Sequence, residues 1–137
     1  MAAGLRLIGA VIFVRDLHTS VRFYSSLLGL AVTDSSTTAA MLADPDGTHL
    51  VLRATGAQSS HALGAVGPQY LVWGLASREE LERCEHALRD QGAFRERRTD
   101  GNLTTVEGHD PDDLVVMLAY SPDAADPKEL LARAYAW

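Results

Sequence analysis

An α+β fold is what this sequence predicts: two tandem βαβββ modules followed by a C-terminal helix. Three observations carry the prediction. A strand, a helix and three further strands can be read twice along the chain. Two matching turns, Asp44-Pro45-Asp46-Gly47 and Asp110-Pro111-Asp112-Asp113, each precede an apolar strand. The 137 residues are 47% hydrophobic and 22% charged, a globular balance in a chain long enough to bury its own core.

The first strand is the apolar, β-branched run Leu7 to Val14, closed by Arg15-Asp16. It reads as a buried strand and not as a leader, because no small-residue cleavage site follows. Asp16 then supplies an N-cap, Leu17, Val21, Tyr24 and Leu28 make a helical stripe, and Gly29 stands where a C-cap glycine belongs. Short strands follow at Leu30 to Thr33, Thr38 to Leu42 and His49 to Ala54, the last two joined by the Asp44 turn. Ala57 to Pro68, rich in Gly, Ala and Ser, reads as a linker.

The order then repeats. Tyr70 to Leu75 is a strand. Ser77-Arg78-Glu79-Glu80 is a capping box that opens a helix with the stripe Leu81, Cys84, Leu88, closed by Gly92. Strands follow at Phe94 to Arg97, Leu103 to Glu107 and Leu114 to Tyr120. Asp126-Pro127-Lys128-Glu129 opens a terminal helix with an N-cap and a proline at N1. One domain over 1–137 results: a module at about 5–55, a linker at 56–68, a second module at about 69–121 and a helix at about 126–136.

Composition excludes several functions. The formal charge is −6, and nucleic-acid binding needs a basic face. The one local cluster, Arg95, Arg97 and Arg98, reads as a solvated strand edge. No run reaches the roughly 18 apolar residues of a membrane helix. A single cysteine, Cys84, rules out a disulfide framework and a CxxC motif, reads as a small buried hydrophobe, and points to a reducing, cytoplasmic setting. There is no GxSxG, P-loop or GxGxxG.

Val14-Arg15-Asp16-Leu17, then Ser20, Phe23-Tyr24 and Leu27-Leu28-Gly29-Leu30, followed by the repeated turns, resemble the vicinal oxygen chelate superfamily, the glyoxalase, bleomycin-resistance and extradiol dioxygenase group. The resemblance runs from about Leu7 to Tyr120. It implies that the two modules curl a mixed sheet into a cup with the helices outside. It also implies four metal-ligand positions, on the first and last strands of each module, usually histidine or glutamate. Carried onto this sequence they fall on Gly9, Val51, Tyr70 and Met117. Glycine and valine offer no donor, a thioether is soft, and a neutral phenol is a poor ligand for a hard cation. No metal and no other cofactor is therefore expected. A shifted set, His49 with Glu107 and His109, is the alternative, since residues two apart on a strand share a face.

Alternation along the strands turns Gly9, Val11 and Phe13, then His49, Val51 and Arg53, then Tyr70, Val72 and Gly74, and finally Val115, Met117 and Ala119 toward the implied cup. Phe13, His49, Val51, Arg53, Tyr70, Val72 and Met117 are the expected ligand-binding residues: an apolar lining with a few polar points. The expected function is metal-independent binding of a small apolar or aromatic molecule, like the sequestering, bleomycin-resistance branch, by a homodimer. The alternative is a lyase, isomerase or oxygenase that uses the shifted metal ligands, or His49 or Glu107 as general base.

Overall fold

The computed structural model describes residues 9–55, 68 and 70–122. The terminal helix and nearly all of the linker predicted above lie outside them, as do Leu7 and Ile8. Two compact units divide the chain, Met1–His61 and Ala62–Trp137.

The first unit runs β1 (Gly9–Val14), α1 (Leu17–Leu28), β2 (Ala31–Ser35), β3 (Ala39–Ala43) and β4 (His49–Ala54). Its sheet has the order β1-β4-β3-β2, with β1 parallel to β4 and the other pairs antiparallel. α1 starts at Asp16, whose carboxylate accepts the Thr19 N–H at 3.0 Å. That hydrogen bond, above all, holds the Asp16 carboxyl below its usual range. Gly29 ends the helix at φ 68°, a left-handed conformation that a side chain would strain.

α1 packs on β3 and β4. Leu42, Leu50 and Leu52 are fully buried beneath it, with Val14, Ala40, Tyr24 and Leu27. Each large side chain here contributes about 1.5–3 kcal/mol of burial. The helix stripe is a correction: Ser20, Phe23, Tyr24 and Leu27 form its centre, while Leu17, Val21 and Leu28 are only half-buried at its flanks. A serine at a core-facing position hid that line from a hydrophobic pattern.

The second unit repeats the first as β5 (Tyr70–Gly74), α2 (Arg78–Asp90), β6 (Phe94–Asp100), β7 (Leu103–His109) and β8 (Val115–Tyr120), with sheet order β5-β8-β7-β6. Ser77 accepts the Glu80 N–H at 3.1 Å. Leu81, Cys84 and Leu88 are fully buried, as the stripe predicted. Leu88 lies against Gly108 and Arg78 stacks over Tyr120. Pleat alternation therefore puts Val106, Gly108, Val116 and Leu118 on the helix side. β6 and β7 run further than expected, to Asp100 and His109, as a hairpin turned by Gly101-Asn102. The charged run on β6 is a strand with a solvated edge, as expected, because an edge strand needs only its backbone ladder and can leave its side chains in water.

The two repeated turns have the same construction. Gly47 N–H donates to the Asp44 carbonyl and Asp113 N–H to the Asp110 carbonyl, both at 3.0 Å. The Asp44 carboxylate accepts the Asp46 N–H, and that of Asp110 accepts the Asp112 N–H at 2.8 Å. Gly47 and Asp113 occupy the same left-handed position, at φ 95° and 68°. The repeat is thus one of backbone geometry as well as of letters.

Candidate functional site

Among the described residues, each sheet has one face covered by its helix and a second that is helix-free. On the first sheet the predicted residues fall on the helix-free face in three rows. Gly9 lies opposite His49, Val11 opposite Val51, and Phe13 opposite Arg53. β3 extends these rows with Ala43, Met41 and Ala39. Val11 and Phe13 are 63% and 65% exposed, unusual values for large apolar strand residues.

An open depression of about 160 Å³ lies on this face, with Met41, Val51 and Ala39 below and Asp34, Ser35 and Ser36 at its rim. Of these only Val51 was expected. Met41 was within reach of the sequence, because β3 alternates like its neighbours. Asp34 was not: a β-bulge between Val32 and Asp34 sets it opposite Met41, and a bulge re-aims every later side chain of its strand.

His49 is half-buried. Its Nδ1 lies 2.8 Å from the Gly47 carbonyl. A carbonyl only accepts, so Nδ1 carries the proton and Nε2 of the neutral ring keeps its lone pair.

On the second sheet, Tyr70 is opposite Val115 and Val72 opposite Met117. β7 adds His109 beside Val115 and Glu107 beside Met117, so Glu107 and His109 do share the helix-free face. Unlike the exposed row of the first sheet, Met117, Ala119 and Thr105 are buried, at 8%, 1% and 5% exposure. Glu107 is 3.5 Å from Arg95. His109 Nδ1 is 3.3 Å from the Asp110 carbonyl and 3.7 Å from the Asp113 carboxylate.

Two of the three arginines of the cluster, Arg95 and Arg97, are held in ion pairs. Arg97 meets Glu85, which also holds Arg89 at 3.0 Å, and Arg89 lies over the Phe94 ring at 3.7 Å. Burial pushes the Glu85 carboxyl up, but the hydrogen bonds from Arg97 and Arg89 and their charges together hold it below its usual value. Cys84 is the reverse case: burial raises its thiol, and the nearby Arg83 offsets this only in part. It is a poor nucleophile.

Gly9, Val51, Tyr70 and Met117 do not fit a hard divalent cation, by donor chemistry. Gly9 adds a steric reason. A Cβ there would stand 2.7 Å from the His49 carbonyl oxygen, so β1 and β4 approach too closely for any side chain. Among the described residues no three His, Cys, Asp or Glu side chains gather as a metal ion would need. No helix among them is long and apolar enough to cross a membrane.

The family model described as Glyoxalase/Bleomycin resistance protein/Dioxygenase superfamily matches residues 6–129. Among solved structures, the chain resembles a glyoxylase/bleomycin resistance protein/dioxygenase domain from Frankia sp. EAN1pec. The TM-score is 0.75 at 21% identity, over 87% of this chain and 99% of that one. A glyoxalase/dioxygenase from Nostoc punctiforme gives 0.73 at 16% identity, over 89% and 99%. A lactoylglutathione lyase from Agrobacterium tumefaciens gives 0.67 at 14%, over 87% and 96%. At these identities the likeness is one of fold. No curated protein matches the chain.

Proposed function

The chain belongs to the Glyoxalase/Bleomycin resistance protein/Dioxygenase superfamily, and on that premise we propose that it binds a small apolar or aromatic molecule without a metal, on the helix-free faces of its sheets. The mode is sequestration of the bleomycin-resistance kind. One feature carries the reading: the family marks are intact, while the metal positions that the resemblance implies fall on Gly9, Val51, Tyr70 and Met117, poor ligands for a hard cation. The exposed Val11 and Phe13 and the apolar floor at Met41 and Val51 support it, since small-molecule sites are mostly apolar with few polar groups. The reading takes the chain as a cytoplasmic homodimer, by analogy with the family.

Metal analysis of protein purified without chelators tests the proposal. Substoichiometric divalent metal is expected. A stoichiometric ion, lost when Tyr70 or Met117 is replaced, overturns it.

A second reading has one observation in its favour: His49 Nδ1 lies 2.8 Å from the Gly47 carbonyl, a contact that suits a ring whose Nε2 accepts. There His49, or Glu107, acts as a general base. Turnover of a family substrate abolished by His49→Ala or Glu107→Ala, with binding kept, establishes that reading; unchanged turnover in both removes it.

A further inference from the structure

We propose that the depression on the first sheet selects organic cations: single-ring molecules carrying a protonated amine, the ring on Met41 and Val51 and the amine against Asp34. The inference rests on the binding reading above and narrows it to a ligand class.

Size sets the first limit. The depression is about 160 Å³. A cavity of about 150 Å³ admits one benzene ring, and drug-sized ligands need at least roughly 300 Å³. The depression is open to solvent, so this volume bounds only the part of a ligand seated in it, about one ring.

The rim sets the charge. Asp34 stands in the same row as Met41 and Val51, because the β2 bulge places it there. A carboxylate is an acceptor, and a protonated amine is its natural donor. Ser36 fixes the rim beside it: its Oγ accepts the N–H groups of Thr38 and Ala39, both at 3.2 Å. Among the described residues, Arg53 stands in the next row, opposite Ala39, and does not line the depression. Arg53 repels an amine, so the ligand orients with its amine toward Asp34. The charge of −6 over the whole chain favours the approach of cations.

The test is a titration followed by NMR of the methionine methyl groups. The chain has three methionines, so the Met41 signal is assignable by substitution. The probes are phenethylamine, phenethyl alcohol and hydrocinnamate, which share a ring and differ in charge. An exposed ion pair is worth about a two- to fivefold change in affinity. Phenethylamine should bind about fivefold tighter than the alcohol at low salt, with hydrocinnamate weakest. Asp34→Asn should erase that preference. Asp46→Asn, the same charge change on the β3–β4 turn, should keep it. Equal affinity for amine and alcohol, or a preference that survives Asp34→Asn, overturns cation selection and leaves apolar binding standing. If none of the three probes moves the Met41 methyl, both fall.

Discussion

Gly108→Ala should destabilise the protein by about 2 kcal/mol, through a contact that can be read directly. The added Cβ would lie 2.6 Å from the Ala93 carbonyl oxygen and 2.8 and 2.9 Å from the two Leu88 methyl carbons, where ordinary contact begins at 3.4 Å. Leu88 can rotate, but Ala93 is backbone, and its carbonyl already accepts the His109 N–H at 3.0 Å. Overpacking of this kind costs about 1–3 kcal/mol. Loosening the His109 bond adds about 1 kcal/mol. The smaller unfolded-state entropy of alanine returns about 0.4–1 kcal/mol. For a chain of this size the net loss lowers the melting temperature by roughly 6–10 °C. Urea unfolding followed by far-UV circular dichroism measures it, with an unchanged slope and an earlier midpoint expected. Gly74→Ala is the control, because no heavy atom lies within 4 Å of its Cβ; it should stay within about 0.5 kcal/mol of wild type. A Gly108→Ala midpoint equal to wild type would refute the claim that α2, Ala93 and β7 are in such close contact.

Ser20→Ala should leave stability unchanged or raise it by up to about 1 kcal/mol, because Ser20 is buried and its Oγ has no hydrogen-bond partner; a clear loss in the urea midpoint would show that the hydroxyl is satisfied. Glu85→Gln should flatten the acid limb of stability. The folded pKa of Glu85 lies below its ordinary 4.5, so its contribution is present above about pH 4.5 and is lost as pH falls through the lower, folded value. Urea midpoints across that range check the sign. Cys84 is fully buried with a raised thiol, so a thiol reagent should label it only as fast as the unit opens; labelling of the folded protein at the rate of a free thiol would contradict its placement.

The parts of the fold that were legible in the sequence are those fixed by local chemistry. Asp16, Gly29 and Ser77 cap where their types predict, and both Asp-Pro-Asp turns form because the aspartate carboxylate can close them. What escaped depends on nonlocal pairing. The length of β6 is set by β7 across the hairpin, and Asp34 faces the depression only because of a bulge registered against β3. The buried line of α1 passes through Ser20, where side-chain polarity and position disagree. Part of the candidate face was readable for the same reason: alternation along β1 and β4 is local, whereas the rim formed by Asp34, Ser35 and Ser36 is a property of the sheet.

Gly9 bears most directly on the choice between the two functional readings. Donor chemistry alone would allow a metal site to be regained by substitution, since Val51 and Met117 could be exchanged for carboxylates on strands already in place. Position 9 differs, because its Cα is where β1 pairs with His49, and any Cβ meets the His49 carbonyl at 2.7 Å. A ligand side chain there requires the backbone to shift at the Gly9–His49 end of the parallel ladder. That ladder also holds Val11 beside Val51 and Phe13 beside Arg53. On the proposed reading the close pairing that leaves no room for a ligand at Gly9 is also what presents the apolar surface for binding. On that reading, a shift at Gly9 to admit a metal ligand would disturb the strand end beside the Val11 and Val51 row, so the two readings place opposite demands on one pairing.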